Sequence, residues 1–360
     1  MSEEKFYSAE KLQALVCEIF KAYQIPKPDA EVCAEVLLSA DLRGIDSHGV
    51  ARLPLYINKL KNKSINPKPE IKIVHELPAT ALVDGDNGMG PVVAKKSMEL
   101  AIEKAKKVGA GLVSVRRSNH FGIAGYYSMM ALKEGMIGLA MCNAVSSVSP
   151  TFGIAPMLGT NPLSLSAPAG KLKPFVLDMA TSVVPTGKIE EALRRQEKVP
   201  LGWLFDQEGK FTDDPLMMLK GGTLAPLGGI RELGGHKGYG LALMVDILSA
   251  VLSDANYGAK QEGLTSMRPE PSNVGHFFMA FQVEGFRPLE EFKKTMDEAL
   301  QALKDSPKAP GHNRIYIHGE PEFEAEEQRR KTGIKLHPLV EMSLKNIAKE
   351  VGINPEQFLE

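Results

Sequence analysis

Two histidines and an arginine, each set among short polar residues, supply most of the chemistry available to this chain. In Asp46-Ser47-His48-Gly49-Val50-Ala51-Arg52, His48 and Arg52 stand four apart, so on a helical turn they share one face. An imidazole has an unperturbed pKa of about 6.5, so it can give or take a proton near neutrality. A guanidinium can hold a carboxylate with two parallel hydrogen bonds. Ser47 can orient the ring, and Gly44 and Gly49 leave the backbone free to turn. The same residues also fit a plain helix start, with Ser47 as cap, an exposed histidine and a salt-bridged arginine.

Other segments offer complementary groups. Arg116-Arg117-Ser118-Asn119-His120-Phe121-Gly122 lies between an expected strand and an expected helix. The amides of Gly122, Ile123 and Ala124 would then sit at a helix N-terminus, which favours an anion. A polar connector capped by Asn119 is the alternative. In Leu158-Gly159-Thr160-Asn161-Pro162, uncharged groups suit a substrate hydroxyl or carbonyl, or simply a Pro-terminated turn. Asp178-Met179-Ala180 ends an expected strand and leads to Pro185-Thr186-Gly187. An aspartate there can bind ribose hydroxyls or cap a turn. Gly234-Gly235-His236-Lys237-Gly238-Tyr239-Gly240 puts a basic pair among glycines, which suits close approach to a phosphate. Arg314 could also meet a phosphate, although a surface loop is the simpler reading.

Several enzyme classes are excluded. The Rossmann G-x-G-x-x-G is missing, and its nearest match, beginning at Gly109, enters a strand rather than a helix. There is no Walker loop, no H-E-x-x-H, no Cys/His zinc spacing and no G-x-S-x-G.

Taken in order, five segments resemble signatures of the malate/L-lactate dehydrogenase family that lacks a Rossmann fold. They are Asp46-Ser47-His48-Gly49, Ser118-Asn119-His120-Phe121-Gly122, Gly159-Thr160-Asn161-Pro162, Leu177-Asp178-Met179-Ala180 and Gly235-His236-Lys237-Gly238-Tyr239-Gly240. That family includes sulfolactate, ureidoglycolate, diketogulonate and piperideine-2-carboxylate enzymes. The resemblance implies hydride transfer between NAD or NADP, or both, and a 2-hydroxy or 2-oxo acid, with malate/oxaloacetate leading. Lactate, sulfolactate, a cyclic imine or a ureido acid are alternatives. A nucleotide-binding regulator without turnover is a third reading, opposed by the pairing of His48 with Arg52.

On this resemblance His48 moves the proton, Ser47 steadies its ring, and His120 is a rival acid–base group. Arg52 holds the C1 carboxylate, and Thr160, Thr186 and Gly187 complete the substrate pocket. His120, Phe121, Gly122, Ile123, Ala124, Asp178, Met179, Ala180, His236 and Lys237 would bind the dinucleotide, with Arg314 as a phosphate partner. No metal is expected. Family members are homodimers with the site near the subunit interface.

The elements that must position these groups follow from pattern. The chain has 360 residues, 43% hydrophobic and 24% charged, with a formal net charge of -1. That is an ordinary soluble composition with no signal for nucleic acid. Three sparse cysteines suit a reducing compartment, and no apolar stretch reaches ~18 residues, so a cytoplasmic protein is expected. Helices are expected over 9–23, capped by Ser8, and from Asp29 to near Gly44, then through Leu60. Strands are expected at 71–74, 80–83, 111–115, 136–143, 162–167, 175–178, 276–283 and 313–317. Helices are expected at 93–108, 123–134, 188–196, about 240–252, 289–303 and from Glu322 onward. The expectation is a mixed α/β (α+β) fold with a non-Rossmann dinucleotide site. A helical domain of residues 1–66 would be completed by 322–360, around a central region of 67–321.

Overall fold

The computed structural model describes residues 5–260 and 270–359. The chain starts with helices Ala9–Ala22 and Lys27–Leu42. Leu12, Leu15, Val16 and Ile19 recur at helical spacing and are fully buried. Ser8 caps the first helix by accepting from the Lys11 N–H at 3.3 Å. The second helix begins before Asp29, at Lys27 behind Pro26. Asp29 therefore lies in its first turn, where a carboxylate favours the helix dipole rather than capping it.

The other end of the chain returns to this core. Helices Pro338–Glu350 and Glu356–Leu359 bring Leu344, Ile347, Ala348 and Leu359 against Leu12, Phe20 and Leu37. The strand Phe6–Tyr7 pairs antiparallel with Ile334–Lys335.

A seven-stranded sheet forms the centre. Its order is Lys72–Glu76, Thr80–Asp84, Ala110–Ser118, Val274–Gln282, Met136–Cys142, Leu163–Ala167 and Phe175–Met179. Only the pair Thr80–Asp84 and Ala110–Ser118 is parallel, and every other neighbour is antiparallel. The fold is thus mixed α/β without the parallel run of a Rossmann sheet. Helices Gly90–Val108 and Ala124–Met130 contribute Val93, Met98 and Tyr127 to the main core against the sheet. Helix Gly235–Asp246 brings Val245 to a second cluster with Met141 and Phe277.

Three further expectations change. Residues 313–317 form no strand; Val176 instead donates to the His318 carbonyl at 3.0 Å, next to this extended segment. The glycine-rich stretch is not all loop, because the helix already starts at Gly235. Tight packing decides this: a Cβ on Gly235 would lie 1.8 Å from the Gly229 carbonyl oxygen. The helix expected over 123–134 begins at Ala124 and tightens into a 3₁₀ turn at Ala131–Glu134, closed by Gly135 at φ +66°.

Candidate active site

The first motif is two short turns rather than one helix. Asp46–His48 and Val50–Arg52 are 3₁₀ turns joined at Gly49, and helix Leu53–Lys61 follows. Each member of the motif has a visible task. Asp46 is ion-paired with Arg329 of helix Glu320–Thr332, which ties the turn to the C-terminal region. The Ser47 hydroxyl lies 2.9 Å from His48 Nδ1. Gly49 passes directly under the buried Asp41 carboxyl, where an added Cβ would lie 1.8 Å from Oδ1. The Val50 N–H donates to that carboxyl at 2.8 Å. Burial pushes the Asp41 pKa up to about 8.

Arg52 is aimed by two contacts. Its Nε donates to the Ser47 carbonyl at 2.7 Å, and one terminal nitrogen lies 3.4 Å from Glu190. Glu190 comes from helix Thr186–Arg195, whose Gly187 backs onto the motif. A Cβ on Gly187 would stand 3.0 Å from Ser47 Cβ and 3.1 Å from the Arg52 guanidinium.

His48 and His120 meet face to face, with ring centroids 5.7 Å apart and planes 28° apart. His120 arrives on the loop after strand Ala110–Ser118. Its Nδ1 lies 2.7 Å from the Tyr56 hydroxyl and receives the Gly122 N–H at 3.4 Å. Burial raises the Tyr56 pKa above its ordinary value, so the phenol keeps its proton to donate. Two donors at Nδ1 place the His120 proton on Nε2, by the logic of the hydrogen-bond network. Burial, then the Arg52 charge, lowers the His48 pKa to about 4. Burial, followed by electrostatic coupling to His48 and to the Arg52 and Lys59 charges, pushes His120 down as well. Both rings are neutral at pH 7.

One cleft gathers His48, Arg52, His120, Phe121, Gly122, Thr160, Thr186 and Gly187. Lys59, Asn143 and Cys142 also line it. Asn161 does not serve the cleft. It is fully buried, accepting from the Ala144 N–H at 2.9 Å and donating to the Ala242 carbonyl at 2.8 Å.

The remaining motifs form a chain beside the cleft. Asp178 accepts from the Gly125 N–H at 2.7 Å, and so joins Phe121, Gly122, Ile123 and Ala124 to Met179 and Ala180. Leu227 donates to the Thr181 carbonyl at 2.9 Å, and Gly238 packs so closely on Leu227 that a Cβ would be 2.2 Å from its carbonyl oxygen. Arg314 is held differently. It is paired with Glu320 and Glu324 and stacks 4.0 Å from the Tyr316 ring, outside the histidine cleft. Tyr316, rather than Arg314, joins Asp178 in a neighbouring groove with Arg43 and His318.

Sequence reading missed Tyr56, Lys59, Glu190 and Asp41. Tyr56 and Lys59 carried a signal, because they lie four and seven residues after Arg52 on one helical face. Glu190 and Asp41 carried none, since only tertiary packing brings them to the motif.

This arrangement joins a guanidinium to a stacked pair of imidazoles. The malate/L-lactate dehydrogenase family model matches residues 7–345. The chain is 50% identical to malate dehydrogenase of Pyrococcus abyssi, over 96% of this chain and 94% of that protein. It is 45% identical to L-sulfolactate dehydrogenase of Methanocaldococcus jannaschii, over 98% of each. The solved malate dehydrogenase of Pyrococcus horikoshii superposes with a TM-score of 0.91 at 44% identity, covering 98% of this chain and 97% of that one. More distant relatives are named for their cofactors. They include ureidoglycolate dehydrogenase (NAD(+)) of Escherichia coli K12 at 31% identity, over 91% of this chain and 92% of that protein. Another is (2R)-3-sulfolactate dehydrogenase (NADP(+)) of Chromohalobacter salexigens at 29%, over 88% and 92%. The chain belongs to the malate/L-lactate dehydrogenase family. It is a dehydrogenase that works with a nicotinamide cofactor.

Proposed function

We propose that the protein interconverts a 2-hydroxy acid and its 2-oxo acid, with malate and oxaloacetate as the pair, using NAD or NADP. The observation that carries this reading is the single cleft that places Arg52 beside the stacked His48 and His120. A bound nicotinamide supplies or accepts the hydride at C2 of the acid.

The chain's own residues do the rest. Arg52 holds the C1 carboxylate with the guanidinium nitrogens left over from Ser47 and Glu190. His48, neutral in the free cleft, takes the hydroxyl proton during oxidation and returns it during reduction. Ser47 fixes its ring. His120, protonated on Nε2 by the Tyr56 contact, donates a hydrogen bond to the same oxygen and stabilises charge developing there. Thr160, Thr186 and Gly187 close the acid's pocket.

Two hydrogen-bonding groups fit a polar cofactor beside the cleft. The buried His236 Nδ1 has no partner, and only Oδ2 of Asp178 is engaged among the described residues. Phe121 to Ala124, Asp178 to Ala180, His236 and Lys237 would hold the dinucleotide. Arg314 fits a phosphate only on leaving Glu320 or Glu324. A helical unit of residues 5–66 and 322–359 carries His48 and Arg52 toward a central unit that carries the cofactor groups.

A homodimer in the cytoplasm completes the reading. Leu243, Ile247 and Val251 recur every four residues as an exposed apolar strip along the helix of the fifth motif, and such a strip suits a second copy. The three cysteines are unpaired, which suits a reducing compartment.

The test follows absorbance of reduced nicotinamide with oxaloacetate, pyruvate, sulfopyruvate, a ureido acid and a cyclic imine, each with NADH and NADPH. The reading expects oxidation of cofactor with the 2-oxo acids, fastest with oxaloacetate. Turnover of the imine alone moves the function to cyclic-imine reduction, and turnover of none removes it.

A further inference from the structure

We propose that Lys59 is the receptor for a second anionic group on the substrate, and that it selects acids charged at both ends over monoacids. The proposal rests on the 2-hydroxy acid reading and names the substrate class of that site.

Arg52, Tyr56 and Lys59 fall at i, i+4 and i+7 on the segment leading through helix Leu53–Lys61, so one helical face carries all three. Arg52 and Lys59 line the same cleft as His48, His120 and Thr160. Their backbones are ~10 Å apart along the axis at 1.5 Å per residue. Both side chains line the one cleft, which suits a small molecule with an anion at each end.

The charges of the two residues are met differently. Arg52 has Glu190 at 3.4 Å. Lys59 is half-buried, its ammonium is hydrogen-bonded to the Ser272 hydroxyl, and it has no carboxylate partner among the described residues. Desolvation lowers its pKa. A half-buried cation without a counter-ion among the described residues is costly, and an anion entering the cleft removes that cost. His120 already senses the charge, since Lys59 contributes to its lowered pKa. The family of acids that fits carries its C1 carboxylate on Arg52 and a distal carboxylate or sulfonate on Lys59.

The experiment compares kcat/KM for oxaloacetate, sulfopyruvate and pyruvate in the wild type, Lys59→Met and Lys59→Arg. Loss of a charged hydrogen bond corresponds to roughly a 10- to 100-fold change. Lys59→Met is expected to lower the oxaloacetate-to-pyruvate ratio by that factor, and Lys59→Arg to keep most of it. The relative fall for oxaloacetate and sulfopyruvate shows which distal anion is preferred. An equal loss on all three acids, or an unchanged ratio, overturns the role of Lys59 while leaving the 2-hydroxy acid reading intact. Failure of the wild type on every 2-oxo acid overturns that reading instead. If Lys59→Met does not fold, inhibition of the wild type decides. Succinate is expected to compete at least 10-fold more tightly than butyrate, and equal inhibition overturns the proposal.

Discussion

The Tyr56 hydroxyl lies 2.7 Å from Nδ1 of His120, while the Ser47 hydroxyl lies 2.9 Å from Nδ1 of His48. The Gly122 N–H reaches the same nitrogen of His120 at 3.4 Å, which makes Nδ1 an acceptor and leaves the His120 proton on Nε2. These contacts separate two histidines that the sequence alone leaves as rivals. Tyr56→Phe is expected to lower kcat about 10-fold with little change in KM, since it acts on the ring that faces the reacting oxygen rather than on carboxylate binding. Steady-state kinetics checks this, and a pure KM effect would point away from His120.

Gly49 has no room for a side chain. Its Cβ position is 1.8 Å from an oxygen of the buried Asp41. Gly49→Ala therefore forces the motif and the carboxyl apart, at a cost of about 3 kcal/mol. Urea unfolding of the variant measures it, with a lower midpoint and unchanged slope expected.

Gly187 makes a milder contact, with its Cβ position 3.0 Å from Ser47 and 3.1 Å from Arg52. Gly187→Ala is expected to shift the guanidinium by a few tenths of an ångström. KM for the acid should rise several-fold, while stability changes by less than about 1 kcal/mol. Kinetics and thermal unfolding on the same sample separate the two effects.

His276 shapes the acid limit of stability. It is fully buried, stacked 4.8 Å from Phe121 and bonded to Ser118 at 2.7 Å. Burial lowers its pKa to about 3. The unfolded chain takes up this proton near pH 6.5, well before the folded chain does. The contribution is complete above that pH and is lost as pH falls toward 3. Urea midpoints measured from pH 7 to 4 should fall, and His276→Gln should flatten that dependence.

Much of this was legible in the chain. The capped first helix follows from Ser8 and the spacing of Leu12, Leu15 and Ile19. Members of the cleft from three of the five motifs, with Arg52, Thr186 and Gly187, were named by residue type and order. Long-range placement was not legible. Strand Val274–Gln282 inserts between Ala110–Ser118 and Met136–Cys142, and no local pattern encodes a partner that far along the chain. Asn161 was offered to the substrate, yet its amide is consumed by Ala144 and Ala242. Arg314 was offered to a phosphate, yet two glutamates reach it through the turn into helix Glu320–Thr332. A polar side chain advertises its chemistry in sequence, but its partners are set by packing.

The most direct test compares pH–rate profiles of hydroxy-acid oxidation in the wild type, His48→Asn and His120→Asn. If His48 moves the proton, His48→Asn loses about 10³-fold in kcat and its profile loses the acid limb, which lies nearer 4 than 6.5 in the free enzyme. His120→Asn should lose less and keep that limb. Near-full turnover in His48→Asn, with the limb lost in His120→Asn, would contradict the account.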